Sequence, residues 1–205
     1  MSRCAFGSRD NLVNPLMNNS ILAVTLIAFA SFASAAESAA KFEFKLLATS
    51  KTSTMEKEMN DLSRAGYEFR TVMGGETAFG GKEVVVVMGL SNRPGKKIYR
   101  LLAANKTSTL EKEMQAAGEE GFDYKGQTVF ESAFGGREVA LIMERDTAVP
   151  VKRAGYKLLA TAKTSTMQKE LMETGAQGYD LLGMTVSKTA FGGSEVVCIL
   201  RQSVE

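Results

Sequence analysis

Hydrophobic and polar positions along the chain repeat one pattern three times between residues 42 and 201. A short aromatic and aliphatic run of strand length opens each copy, as at Phe42–Leu47. A polar segment follows, and then apolar residues recur at the spacing of one helical face, as at Met55, Met59 and Leu62. Two further strand-like runs close each copy, and the second of them is Glu83–Met88 in the first copy. The pattern predicts a β-α-β-β unit in three copies.

Two short motifs recur with these units and set their spacing. Lys-Thr-Ser-Thr stands at residues 51–54, 106–109 and 163–166, and Ala-Phe-Gly-Gly stands at residues 78–81, 133–136 and 190–193. In both motifs the second copy follows the first by 55 residues, and the third follows the second by 57. Intervals shared by two separate motifs are the signature of internal repeats. We expect three tandem units that form an α+β fold with antiparallel hairpins.

Polar or proline-bearing segments separate the units and define the boundaries. The divisions are repeat 1 at 37–90, a linker at 91–97, repeat 2 at 98–144, a linker at 145–154, and repeat 3 at 155–205. A single unit of this size buries too little surface to be comfortably stable alone. We therefore expect the three units to form one pseudo-symmetric domain or one continuous sheet.

Each predicted helix is bounded by recognisable start and stop residues. In the first unit Ser53 and Glu56 fit the capping-box pattern, in which each side chain binds a free N–H at the helix start. Gly66, followed by Tyr67, is typical of a left-handed glycine that ends a helix and is held by a hydrophobic contact. The equivalents are Ser108–Glu111 and Ser165–Gln168 at the starts, and Gly121–Phe122 and Gly178–Tyr179 at the ends.

On these residues the units resemble the small β-α-β-β family named domain of unknown function 4177. The resemblance rests on an opening aromatic strand, a helix, and then a glycine, an aromatic residue, an acid and an apolar or aromatic residue. These last four residues are Gly66–Phe69, Gly121–Tyr124 and Gly178–Leu181, and the resemblance spans nearly all of residues 42–201. The Lys-Thr-Ser-Thr and Ala-Phe-Gly-Gly motifs depart from the family pattern. The resemblance implies a fold and no activity.

The first part of the chain has the pattern of an export signal. An apolar stretch at Ile21–Phe32 is followed by small residues that include Ala33, Ala35 and Ala36. We interpret residues 1–36 as a signal peptide, with translation starting at Met1 or Met17. The stretch is shorter than the roughly 20 apolar residues that cross a bilayer. We expect an exported protein, periplasmic or secreted, with no stable membrane span once the signal is removed.

Charge and composition exclude several classes of function. The chain has 25 basic and 23 acidic side chains, which are interspersed, so it lacks the basic stripe that a nucleic acid requires. It has no histidine, which excludes Ser-His-Asp and Cys-His catalysis and the commonest ligand of transition metals. Cys4 lies in the predicted signal peptide, so Cys198 remains alone, and we expect it to be a small buried hydrophobe. No nucleotide-binding glycine pattern is present, and we predict neither a cofactor nor a metal.

The Lys-Thr-Ser segments are the first candidate site. A lysine and several hydroxyls beside a helix N-terminus suit a phosphate, sulfate or carboxylate. The simpler interpretation is that the serines cap the helices and the lysines are solvated. The candidate anion-binding residues are Lys51, Thr52, Ser53, Lys106, Thr107, Ser108, Lys163, Thr164 and Ser165.

The Phe-Gly-Gly loops are the second candidate site. Phe79, Phe134 and Phe191 suit apolar anchors for a partner if they are exposed. The alternative is that the glycines serve turn geometry and each phenylalanine folds back into the core.

The three copies carry the same suggestive residues, whereas a catalytic site built from repeats usually concentrates in one divergent place. Repetition of this kind favours structure or multivalent binding. We therefore expect a noncatalytic exported protein that binds or assembles, with a partner protein, an envelope component or a small anion as its ligand. The alternative is an enzyme that uses the repeated lysines and glutamates at the helix starts.

Overall fold

The computed structural model describes residues 42–76, 82–91, 95–131, 137–188 and 194–204. Within these ranges the chain forms three units of strand, helix, strand and strand, which confirms the α+β fold of tandem β-α-β-β repeats. The first unit contains β1 (Phe44–Thr49), α1 (Thr52–Arg64), β2 (Tyr67–Glu76) and β3 (Lys82–Leu90). The second contains β4 (Lys97–Ala104), α2 (Thr107–Glu119), β5 (Asp123–Glu131) and β6 (Arg137–Asp146). The third contains β7 (Ala154–Thr161), α3 (Thr164–Ala176), β8 (Asp180–Lys188) and β9 (Ser194–Ser203).

Each unit forms its own three-stranded antiparallel sheet. The strand orders are β1-β3-β2, β4-β6-β5 and β7-β9-β8, so the last strand of each unit is central. We call these sheets 1, 2 and 3. The register repeats as well, because Leu46, Leu101 and Leu158 lie opposite Val87, Ile142 and Ile199. The predicted hairpins are confirmed, but one continuous sheet is wrong for the described strands.

The units instead stack face to face: each of the first two helices lies along the first strand of the next sheet, and β2 packs directly against β5. In the first layer of core, Met55 and Met59 of α1 and Val86 of β3 pack against Leu101 and Ile142 of sheet 2. The opposite face of sheet 2 forms the next layer, in which Leu141 and Met114 meet Leu158 and Ile199 of sheet 3. Sheet 2 therefore buries apolar side chains on both faces.

The third layer of core is smaller. Cys198 and Leu200 of β9 and Leu159 of β7 pack with Met167 of α3, and α3 is the last layer. Cys198 is buried, as expected from its apolar strand. Among the described helices, none is long and apolar enough to cross a membrane.

The helix ends follow the sequence prediction. Gly66, Gly121 and Gly178 have φ values of 95°, 83° and 88°, in the left-handed region that favours glycine. In the second unit the N–H of Phe122 donates to the carbonyl of Ala117 at 2.9 Å, which closes the terminal turn.

The helix starts differ from the prediction. Lys51 is at the N-cap position, and its carbonyl accepts hydrogen bonds from Thr54 and Met55 at 3.1 Å. In the part of the chain that the structure describes, the N-cap residue of each helix makes no side-chain hydrogen bond to the helix start. The capping box at Ser53–Glu56, and its two equivalents, is therefore wrong. Glu56 binds the next unit instead.

Candidate binding surfaces

The first joint is the contact between α1 and the edge of β4. The Asn60 side chain makes two hydrogen bonds to the backbone of Tyr99, one to its carbonyl and one from its N–H, both at 2.9 Å. One turn earlier on the same side of α1, the Glu56 carboxylate accepts from the N–H of Leu101 at 2.9 Å. Side chains of the helix thus take the place of a neighbouring strand, because they satisfy backbone groups that an edge strand leaves open.

The second joint is the equivalent contact between α2 and β7. Gln115 occupies the position of Asn60, and its amide donates to the carbonyl of Tyr156. Gly118 brings the two backbones together, because a Cβ at this position would collide with the Ala154 carbonyl and with the ring of Tyr156. The two joints therefore share one geometry with different side chains.

A tyrosine hydroxyl completes each joint. Tyr99 accepts from the N–H of Phe69 at 2.9 Å, and Tyr156 accepts from the N–H of Tyr124 at 3.0 Å. Each of these amides lies just before a one-residue bulge in the second strand of the preceding unit. Burial raises the pKa of both phenols above its usual range, so they stay protonated.

Among the described residues no unit lies before the first one, and the outer face of its sheet is open. Phe44 and Leu46 stand at the positions of Tyr99 and Leu101, but they are 57% and 68% exposed, whereas Tyr99 is 3% and Leu101 8% exposed. Val85 and Val87 are half-buried on the same face, and the neighbouring side chain of Met73 is exposed. We call this surface the head face: Phe44, Leu46, Met73, Val85 and Val87.

Within the described ranges no unit lies after the third one, and its outer surface is open too. Met172 of α3 stands at the position of Asn60 and Gln115 and is 68% exposed. No atom lies within 4 Å of the place where a Cβ of Gly175 would stand, although this residue is the equivalent of Gly118. On β8 the side chains of Leu181, Met184 and Val186 are exposed. We call this surface the tail face: Gln168, Met172, Gly175, Leu181, Met184 and Val186.

The Lys-Thr-Ser segments lie at the helix starts, as their sequence placed them. Thr52 and Thr107 are half-buried, and the other seven residues are exposed: Lys51, Ser53, Lys106, Ser108, Lys163, Thr164 and Ser165. The pairing of Thr49 with Val84 brings Lys51 and Glu83 to the same end of sheet 1. No ion pair joins these two among the described side chains. An anion site at these segments stays a prediction.

The candidate anchors Phe79, Phe134 and Phe191 lie outside the described residues. Their role in partner binding also stays a prediction.

The most buried charged residue belongs to an ion-pair cluster rather than to a reactive centre. Glu144 is 3.1 Å from Lys97 and 3.4 Å from Lys125, and Lys97 is also 3.0 Å from Asp146. Burial alone would lower the pKa of Lys97, but hydrogen bonds to Asp146 and Glu144 raise it above its usual value. This lysine is therefore a cation and not a base at neutral pH.

The remaining chemistry of the described side chains is limited. Burial raises the pKa of the Cys198 thiol, which keeps it protonated and weakly nucleophilic. No group of three or more cysteine, aspartate or glutamate side chains within the described ranges is arranged to hold a metal ion. The described residues also leave the two apolar faces open.

Comparison of the chain with protein families, with curated proteins and with solved structures finds no match. The resemblance to domain of unknown function 4177 therefore stays a prediction.

Sequence reasoning missed the residues that make the joints and the faces. The signal was present in the differences between copies rather than in their likeness. Tyrosine at positions 99 and 156 becomes Phe44 in the first copy, and Asn60 and Gln115 become Met172 in the last. A polar residue is replaced by an apolar one at each end of the array.

Proposed function

We propose that this chain is an exported, noncatalytic binding or assembly protein whose head and tail faces hold its partners. One observation carries the proposal. The apolar surfaces that the inner units bury against each other are left open at both ends of the stack. Contiguous exposed apolar surface on a folded protein marks an interaction site.

The residue types on the head face support a binding role. An exposed edge strand is normally protected by lysine, proline or another polar residue. Here β1 keeps Phe44 and Leu46 on its open face, and β3 keeps Val85 and Val87. These side chains contribute little to the stability of a free molecule, because burial is what makes an apolar side chain stabilising. They do suit a surface that is covered by a partner.

The class of partner follows from the chemistry of the faces. Both are dominated by aliphatic, aromatic and methionine side chains, so a protein surface or an apolar envelope component fits them better than a charged polymer. The predicted signal peptide at residues 1–36 supports an encounter in the periplasm or outside the cell. The missing histidine and the inert Cys198 support a noncatalytic role.

Photo-cross-linking in the cells that make the protein tests this function. A photoreactive amino acid is placed at Leu46 on the head face, at Met172 on the tail face, or at the control position Val149, which is exposed outside both faces. We expect cross-linked products from Leu46 and Met172 and none from Val149, with the partner identified by mass spectrometry. An equal yield from all three positions, or no product from either face, would overturn the proposal.

A small-anion binder is the second candidate. The observation that favours it is the exposed lysine at each helix start, beside N–H groups to which the N-cap residue makes no side-chain hydrogen bond in the part of the chain that the structure describes. Phosphate or sulfate should then raise the melting temperature relative to chloride at equal ionic strength. The triple Lys51→Ala, Lys106→Ala, Lys163→Ala variant should lose that increase. A response that is unchanged in the variant would remove this candidate.

A further inference from the structure

The two open faces are the two halves of a contact that the chain already makes twice. The head face carries the equivalents of the sheet 2 residues that contact α1 and of the sheet 3 residues that contact α2. The tail face carries the equivalents of the α1 and β2 residues that contact sheet 2. Each half therefore has a known complement, which is the other half.

We propose that the tail face of one copy of this chain docks on the head face of another copy, and so adds a third joint of the same kind between molecules. This inference rests on the proposed binding function and names its partner. In this joint α3 of one copy lies along the free edge of β1 of the next, as α1 lies along β4 and α2 along β7. Each copy uses two different surfaces, so the contact is heterologous and leads to a growing chain of copies or to a closed ring.

The substitutions at the two ends match each other. In the inner joints a polar side chain, Asn60 or Gln115, binds the backbone of a tyrosine. At the ends the helix carries Met172 and the strand carries Phe44, so the contact between molecules lacks the amide hydrogen bonds and the tyrosine hydroxyl of the inner joints and relies on apolar packing. Methionine adapts its shape and packs well against an aromatic ring. Met172 therefore suits an apolar contact with the head face.

One hydrogen bond of the first joint has a counterpart in this contact. Gln168 stands on α3 at the position where Glu56 stands on α1. Its amide oxygen is able to accept from the N–H of Leu46, as the Glu56 carboxylate accepts from the N–H of Leu101 at 2.9 Å. Gly175 stands at the position of Gly118 and leaves the same space for an approaching strand. Both features permit a strand edge to come close to α3.

Two blocked variants test the pairing, one for each face. Leu46→Lys places a charge on the head face, and Met172→Lys places one on the tail face. Val149→Lys is the matched control, since it replaces an exposed apolar residue outside both faces. The full chain, residues 1–205, is expressed in an exporting host, and mass spectrometry defines the N-terminus of each purified protein. Because all three side chains are more than half exposed, we expect unchanged urea midpoints for the monomers.

Molar mass is then measured by light scattering and sedimentation over a wide range of concentrations. We expect the unmodified chain and Val149→Lys to grow beyond one copy as concentration rises. Each blocked variant alone should remain a monomer. An equal mixture of the two should form a two-chain complex and nothing larger, because each chain supplies the face that the other lacks.

Other outcomes would overturn the pairing in distinguishable ways. A blocked variant that still dimerises by itself would show that like faces pair. An unmodified chain that stays monomeric at every concentration would exclude a second copy as the occupant. If residues 1–41 cover the head face of their own chain, Leu46→Lys should expose that segment to protease without changing the molar mass. Cross-links from Leu46 to a different protein would refute the self-pairing and leave the proposed binding function standing.

Discussion

Strands β1 and β4 occupy the same place in their repeats, but only β4 is buried. Both pair with the central strand in the same register, and both put an aromatic residue and a leucine on the outer face. Tyr99 and Leu101 are covered by α1, whereas no described residue covers Phe44 and Leu46 in this way. The comparison shows that burial of the first strand is set by the preceding unit and not by the strand itself.

The largest expected effect comes from truncating the same aromatic position inside and at the end of the stack. Tyr156→Ala removes a fully buried ring and a hydroxyl that binds the N–H of Tyr124, so it should lower the free energy of unfolding by roughly 3 to 5 kcal/mol. Phe44→Ala should change it by less than about 0.5 kcal/mol. Urea denaturation at a concentration where the chain is monomeric measures both. Similar losses in the two variants would contradict the contrast between inner and outer positions.

Replacing the equivalent glycines of α2 and α3 by alanine should change the free energy of unfolding by a smaller amount and in opposite directions. Gly118→Ala forces a Cβ into the Ala154 carbonyl, and we expect it to destabilise the fold by about 1 to 3 kcal/mol. Gly175→Ala meets no atom and improves helix propensity, so it should stabilise the fold by roughly 0.5 to 1 kcal/mol. Thermal and urea unfolding of the two variants give the signs. If both stabilise the chain, the close approach of α2 and β7 is not rigid.

The smallest expected change in the free energy of unfolding concerns a buried amide inside the stack. Both polar atoms of the Gln127 amide are buried with no hydrogen-bond partner among the described residues, and the equivalent positions carry Val72 and Met184. Gln127→Met should therefore raise the free energy of unfolding by about 1 kcal/mol, because it removes an unsatisfied buried amide. Gln127→Glu, which has nearly the same shape, should lower it. A loss of stability with methionine would mean that the amide has a partner after all.

Much of the fold was predictable because it depends on local chemistry. The helix-ending glycines needed only a residue that tolerates positive φ, and Gly66, Gly121 and Gly178 supply it. The three units followed from repeated apolar runs of strand length and from apolar residues at helical spacing. Pairing of the second and third strands followed from the short connection between them.

The helix starts and the joints were not predictable for a related reason. Glu56 had the spacing of a capping residue, but a backbone N–H from another unit, that of Leu101, competed for its carboxylate. Such a partner lies far along the chain, and local spacing carries no information about it. Likewise, the continuous apolar run at Val84–Val87 is typical of a strand that is covered on both faces, as β6 is. Over Val84–Met88 only alternate residues are buried, because no described unit covers the outer face of this strand.

The position of α3 at the end of the stack affects how the free molecule moves. Helix α1 has apolar contacts with sheets 1 and 2, whereas α3 packs through Met167 and Leu171 onto sheet 3 alone. In arrays of this kind each layer is stabilised mainly by its neighbours, so a layer with one neighbour opens more often than a layer with two. The backbone amides of α3 should therefore exchange with deuterium before those of α1. In an assembled chain of copies, α3 would become an inner layer and gain the slower exchange of α1.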